Sequence, residues 1–173
     1  AFFVLKKITK AKVPENRLAC LRKIYWEGET IDKCIVIAFN KNDSYSGEKT
    51  VELHCHGSIA IINKLASILT QCGSELKNFR PAEEGEFTRQ AFYNGKMDLI
   101  QVEGLSDLLR AETEAQRKIS FDSLDGVISK KVREWKSQVM SILAFLEADI
   151  DFNDQDLGEV EVLNMISSLL ELL

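Results

Sequence analysis

Between Lys49 and Cys72 the spacing of apolar residues changes from a period of two to a period of 3.6 across one glycine. That change narrows the folds open to the chain. Val51, Leu53 and Cys55 alternate with Glu52, His54 and His56, the pattern of a strand with one apolar and one ionisable face. After Gly57-Ser58, Ile61, Ile62, Leu65, Ile68, Leu69 and Cys72 recur at helical spacing, with Ser58 able to cap the helix and Gly73 placed as a left-handed stop. Strand, glycine turn and helix therefore follow one another directly.

The rest of the first half is patterned in the same mixed way. Phe2, Leu5 and Ile8 fall three apart, predicting the end of an amphipathic helix that runs into the basic segment Lys6 to Lys12 and is closed by Pro14. Leu18 to Trp26 and Ile31 to Phe39 read as strands, and Glu27-Gly28-Glu29-Thr30 between them as a hairpin loop. Asn40 to Gly47 is a turn-rich loop, and Glu75 to Arg80 is read as one further strand. The stretch Glu84 to Asp98 places Phe87, Ala91 and Phe92 on one side of a short helix, with Arg89 and Gln90 elsewhere, ahead of an Asn94-Gly95 turn. Lys96 then points outward, either as a solvated side chain or as a clamp for an anionic ligand.

From Asp98 the pattern is helical throughout. Leu99 to Ser123 carries Leu105, Leu108, Leu109 and Ile119, and Gly126 interrupts it. Ile128, Val132, Trp135, Val139, Ile142 and Leu146 then step by four and three, a near-heptad seam that needs partner helices. Val160, Leu163, Leu170 and Leu173 carry a third helical segment. The expected fold is α+β: a mixed sheet-and-helix domain over residues 1–97, followed by an all-α helical-bundle domain over 98–173.

Charge and cysteine usage remove several function classes. The net charge of -5 offers no global attraction to a phosphate backbone. No run is long and apolar enough for a membrane span, and no signal sequence opens the chain. The four cysteines, Cys20, Cys34, Cys55 and Cys72, form no Cys-x-x-Cys pair and read as reduced core thiols of a cytosol or organelle matrix. The opening Ala1-Phe2-Phe3-Val4-Leu5 has no Met and no polar lead, so the chain is expected to be a fragment.

Glu52, His54 and His56 admit three readings: solvated groups on an outer strand face, the wall of a ligand pocket, or metal ligands. Zinc wants three or four ligands, and no cysteine shares this face, so metal is disfavoured. The acidic run from Glu147 to Glu161 lacks the Gly and the closing Glu of a calcium loop and reads as an interhelix turn or a surface for a basic partner. No P-loop and no Gly-x-Ser-x-Gly elbow occurs.

Four stretches together resemble a known family. VELHCHG from Val51 to Gly57, GEFTRQAFYNGKMDL from Gly85 to Leu99, QVEGLSDLLRAETEAQR from Gln101 to Arg117 and FLEADIDF from Phe145 to Phe152 resemble the MnmE (TrmE) tRNA-modification GTPases, in the same order and spacing. The resemblance implies that residues 1–97 are most of a tetrahydrofolate-binding, homodimerising N-terminal domain and that 98–173 begin the helical domain. It implies a 5-formyl- or 5,10-methylene-tetrahydrofolate cofactor, held here by Glu52 and Lys96, with a further Arg and a C-terminal Lys outside this chain. Glu52 would accept hydrogen bonds from the pterin amino group and ring N–H, and Lys96 would face an anionic or carbonyl part of the folate. No catalytic residue and no metal ligand is implied within these residues; GTP, magnesium and potassium belong to an absent GTPase domain. The implied partners are a second copy of the chain, an MnmG-like FAD protein and tRNA, with no membrane, in the bacterial cytoplasm or, in a eukaryote, the mitochondrial matrix.

The chain departs from the family at two places. Cys55-His56-Gly57-Ser58 stands where Gly-His-Gly-Gly is frequent. Ala82-Glu83-Glu84-Gly85-Glu86-Phe87 stands where Ala-Arg-Pro-Gly-Glu-Phe is usual, which exchanges a stiff positive approach for two negative charges and weakens an anionic ligand. The alternative function is a dimerisation and docking module with no ligand.

Overall fold

The computed structural model describes residues 1–74, 76, 79–151 and 167. The chain divides into two compact units, Ala1–Met97 and Asp98–Leu173.

The first unit begins with α1 (Phe2–Thr9), then β1 (Cys20–Trp26), β2 (Glu29–Phe39), β3 (Thr50–His54), α2 (Ile59–Gly73) and α3 (Glu86–Tyr93). The three strands form an antiparallel meander in the order β1-β2-β3. The alternation on β2 is strict: Asp32, Cys34, Val36 and Ala38 are buried, and the residues between them are not. Val36 lies opposite Leu53 and Ala38 opposite Val51, so the apolar face of β3 joins the same layer. Against it pack Val4, Leu5 and Ile8 of α1 and Leu65, Ile68 and Cys72 of α2. The opposite face carries Leu21 beside Ile35 and Lys23 beside Lys33, all largely exposed.

Several local expectations are revised. The first helix stops at Thr9, well before Pro14, because Lys10 takes φ 52° and its N–H closes on the Lys6 carbonyl. The hairpin loop is two residues rather than four: Glu27 (φ 49°) and Gly28 (φ 89°) both take left-handed conformations, as a primed turn demands, and Trp26 pairs with Glu29. Ser58 sits at the N-cap of α2, yet its hydroxyl accepts no capping bond. Gly73 is not a left-handed stop. The helix ends on Ser74 in ordinary helical geometry, and the glycine serves close packing, since a Cβ there would lie 1.9 Å from the Phe79 ring. Of the proposed strand Glu75 to Arg80, residues 75, 77 and 78 lie outside the described set, and Phe79 and Arg80 are in no strand.

In the second unit the expected Leu99 to Ser123 helix is two helices, α4 (Leu99–Arg110) and α5 (Glu114–Leu124), followed by α6 (Val127–Asp151). A capping box opens each of the first two, Asp98 with Gln101 at α4 and Thr113 with Gln116 at α5, and the second marks the break between them. Gly104 lets α4 and α5 approach closely, for a Cβ there would stand 2.7 Å from the Leu124 nitrogen. Asp98 also accepts from Ser129 at 2.9 Å and faces Arg133 at 3.4 Å, which ties the start of α4 to α6. All but residue 167 of the segment Val160 to Leu173, and most of the acidic run, lie outside the described residues.

Candidate functional site

The end of the sheet where β2 stops and β3 begins opens into a cleft of about 600 Å³. It is lined by Phe39 of β2, by Thr50, Val51 and Glu52 of β3, by Arg17, by Phe87 of α3, and by Asp43 to Ser46 of the loop between β2 and β3. That size falls within the range of small-molecule sites. Three aromatic rings, Phe39, Tyr45 and Phe87, supply flat apolar surface, and Glu52 supplies a carboxylate at the edge.

The Glu52 side chain is 49% exposed, so it is a half-open carboxylate of the cleft lining on the outer face of β3. Its Oε2 lies 3.1 Å from His54 Nε2, and Oε1 is left for other donors. Alternation had placed His56 on that face as well. The structure separates it, because the strand ends at His54 and the His56 ring turns to Asp32, with Nδ1 2.7 Å from Oδ1. The His56 main-chain N–H donates to Asp32 Oδ2 at 3.0 Å, and the Lys33 N–H donates to Oδ1 at 2.7 Å. Burial raises the Asp32 pKa, but the His56 N–H, the His56 ring and the Lys33 N–H outweigh it and hold the carboxyl below its ordinary value. Among the described residues no three His, Cys, Asp or Glu side chains converge as a metal site. Sequence reasoning missed Asp32. The available signal was its phase, since it stands in register with Cys34, Val36 and Ala38 on the core face.

Neighbouring Cys34 is buried and its thiol is pushed up to about 11 by burial first, then by the Asp32 carboxylate and Cys55. All four cysteines are free thiols.

Lys96 is placed by a helix end and not by a free turn. Gly95 takes φ 66° while Asn94 stays at −85°; the Gly95 N–H reaches the Phe92 carbonyl and the Lys96 N–H the Ala91 carbonyl, the paired bonds of a Schellman cap. Lys96 is exposed, yet its Nζ donates to the Asn42 carbonyl at 2.8 Å. Asn94 donates to the Ser46 carbonyl at 2.8 Å, and the Tyr45 hydroxyl meets Thr88 Oγ1 at 2.9 Å. Three contacts from α3 and its cap thus hold the loop that walls the cleft. Lys96 reaches that loop; it is not itself part of the lining. Of the apolar trio on that helix, Phe87 is 56% and Phe92 40% exposed, and only Ala91 is fully enclosed.

The two acidic residues that replace the usual Arg-Pro are partly offset. Glu83 lies 3.9 Å from Arg80 and 3.6 Å from Arg89, and Arg80 forks onto Glu86 at 2.8 and 3.0 Å. The hydrogen bond to Arg80 is the main reason the Glu86 carboxyl sits below its ordinary value.

Residues 1–96 match the family described as GTP-binding protein TrmE N-terminus, and residues 99–173 match the MnmE helical domain. The chain belongs to the MnmE (TrmE) family. It is 44% identical over 159 residues to a tRNA modification GTPase MnmE of Cereibacter sphaeroides, with 92% of this chain and 36% of that protein covered. It is 43% identical over 148 residues to the protein of the same name from Caulobacter vibrioides (86% and 32% covered). The MnmE of Mycoplasma mycoides is 37% identical over 174 residues, covering 100% of this chain and 37% of that protein. The chain therefore spans about a third of the length of the MnmE relatives it matches. No helix among the described residues is long and apolar enough to cross a membrane.

Proposed function

We propose that this chain is the folate-binding and first helical part of a tRNA-modification GTPase. With an FAD-containing, MnmG-like protein, the longer enzyme adds an aminomethyl-type group to C5 of the wobble uridine of tRNA. Residues 1–97 hold a 5-formyl- or 5,10-methylene-tetrahydrofolate and pair with a second copy; residues 98–173 begin the helical domain. GTP, magnesium and potassium act in a part of the longer protein that this chain does not include. The setting is the bacterial cytoplasm, or the mitochondrial matrix of a eukaryote.

The observation that carries this reading is the cleft around Glu52. A pterin is flat, aromatic and rich in N–H donors on one edge; the cleft offers three ring faces and a carboxylate with one oxygen left open. The folate, when bound, supplies the one-carbon unit. The chain's own residues bind and orient it: Glu52 accepts from the pterin edge, His54 fixes the Glu52 rotamer, and Lys96 holds the cleft loop while offering its remaining N–H donors to a carbonyl or carboxylate of the ligand.

Calorimetric titration of 5-formyltetrahydrofolate into the full-length protein tests the site. Glu52→Ala is expected to weaken binding at least tenfold, or about 1.4 kcal/mol. Equal affinity in the two proteins would remove Glu52 from the site.

A further inference from the structure

We infer that Arg17 is a ligand-binding residue of the same cleft and pairs with the carboxylates of the folate's glutamate tail, an inference that rests on the folate reading above. The lining carries three charged side chains: Arg17, Asp43 and Glu52. Both carboxylates are already engaged, Asp43 by the Asn16 amide at 3.1 Å and Glu52 by His54 at 3.1 Å. The Arg17 guanidinium, among the described residues, meets neither a carboxylate nor a hydrogen-bond acceptor. An arginine left without an anion in the lining is a cation free to pair with a ligand.

The backbone holds Arg17 there at a cost. Its φ is 63°, a left-handed conformation that residues with a long side chain seldom adopt. The conformation is fixed by the Arg17 N–H donating to the Ala38 carbonyl at 2.8 Å and by Asn16, whose Oδ1 accepts from the Asn40 N–H at 2.8 Å. Asn16 bridges to Ala38, and Ala38 pairs with Val51 next to Glu52. Arg17 and Glu52 therefore stand on opposite sides of β2, roughly 10 Å apart at the main chain by two interstrand spacings. A ligand with a donor-rich heterocycle at one end and carboxylates at the other, joined by an aromatic ring, matches that order of groups.

The test pairs a protein change with a ligand change. Full-length protein and its Arg17→Asn and Arg17→Lys variants are titrated with 5-formyltetrahydrofolate and with the same folate whose two tail carboxylates are converted to neutral amides. Asn is chosen because it tolerates left-handed φ. The unsubstituted protein is expected to prefer the acid over the diamide by about 10- to 100-fold, Arg17→Asn to lose that preference, and Arg17→Lys to regain part of it. Retention of the full preference in Arg17→Asn overturns the inference, as does loss of all binding that Arg17→Lys does not rescue. If the unsubstituted protein binds the acid through Glu52 but does not distinguish it from the diamide, Arg17 alone is wrongly placed. If it binds neither compound, the folate reading fails and the inference fails with it.

Discussion

Asp32 is 7% exposed near the start of β2, where its position in the strand alternation calls for an apolar residue. A carboxylate is tolerated there because two main-chain N–H groups and the His56 ring satisfy it, and in return it fixes the turn that leads from β3 to α2. The His56 ring is largely exposed, so the main-chain donors carry most of the energy. Asp32→Ala should lower stability by about 2 to 3 kcal/mol at pH 7, measured by urea unfolding. The carboxyl is held below the ordinary value, which is about 3.9 in an unfolded chain. Its contribution is therefore complete above that value and disappears as acid carries the pH down through the lower folded value. The variant should lose part of the acid-side fall in stability. It should keep the rest, since Asp98, Glu86 and Glu114 are also held low by their hydrogen bonds. A variant as stable as the original at pH 7 would show that the pairing is worth nothing.

Glycine and its neighbours set the ends of the elements, and here the sequence was legible in kind but not in detail. Gly28 and Gly95 were both recognisable as reversals. What differed was the geometry around them: a two-residue primed turn at Glu27-Gly28 and a Schellman cap at Gly95. Register decides the first, because Ile31 is bulged out between Ile24 and Tyr25 and Trp26 meets Glu29. Glu27 pays the strain of left-handed φ in that turn, whereas Asn adopts it readily. Glu27→Asn should raise stability by on the order of 1 kcal/mol in thermal or urea unfolding. A neutral or lower value would mean that the Glu27 side chain compensates for its backbone. The split between α4 and α5 was missed for another reason: it is marked by the Thr113–Gln116 capping box, which hydrophobic spacing does not register.

At the scale of the molecule, four positions of the near-heptad seam on α6 are exposed among the described residues. Ile128 and Val132 are 38% exposed, Val139 50% and Leu146 39%. A helix with that seam buries it against other helices in a stable bundle, and the chain spans about a third of its relatives' length. The isolated 173-residue chain should therefore scatter light with a mass above 19.6 kDa, and Val132→Glu combined with Val139→Glu should lower that mass. A mass that the double substitution leaves unchanged would place self-association elsewhere, on the first unit. A monomer before substitution would show that the seam does not drive association.

Strand, glycine turn and helix could be read from residues 49–72 because hydrophobic period depends only on which face of an element is dry, and that is written locally. The same holds for the apolar set of β3 and for Leu65, Ile68 and Cys72 of α2, all of which pack where their spacing puts them. Alternation put Glu52 and His54 on one strand face and the Asn94-Gly95 turn pointed Lys96 outward, and the family motifs named Glu52 and Lys96 as site residues. Only the tertiary structure decided that Glu52 is paired with His54 in the lining of a cleft, and that Lys96 acts on the cleft through the Asn42 carbonyl. The structure also turned His56 away to Asp32 and brought Arg17 into the lining. The physical reason is that the Lys96 and His56 outcomes depend on bonds between residues 54 and 24 positions apart in the chain, and the Arg17 position on its N–H to Ala38, none of which a local period records.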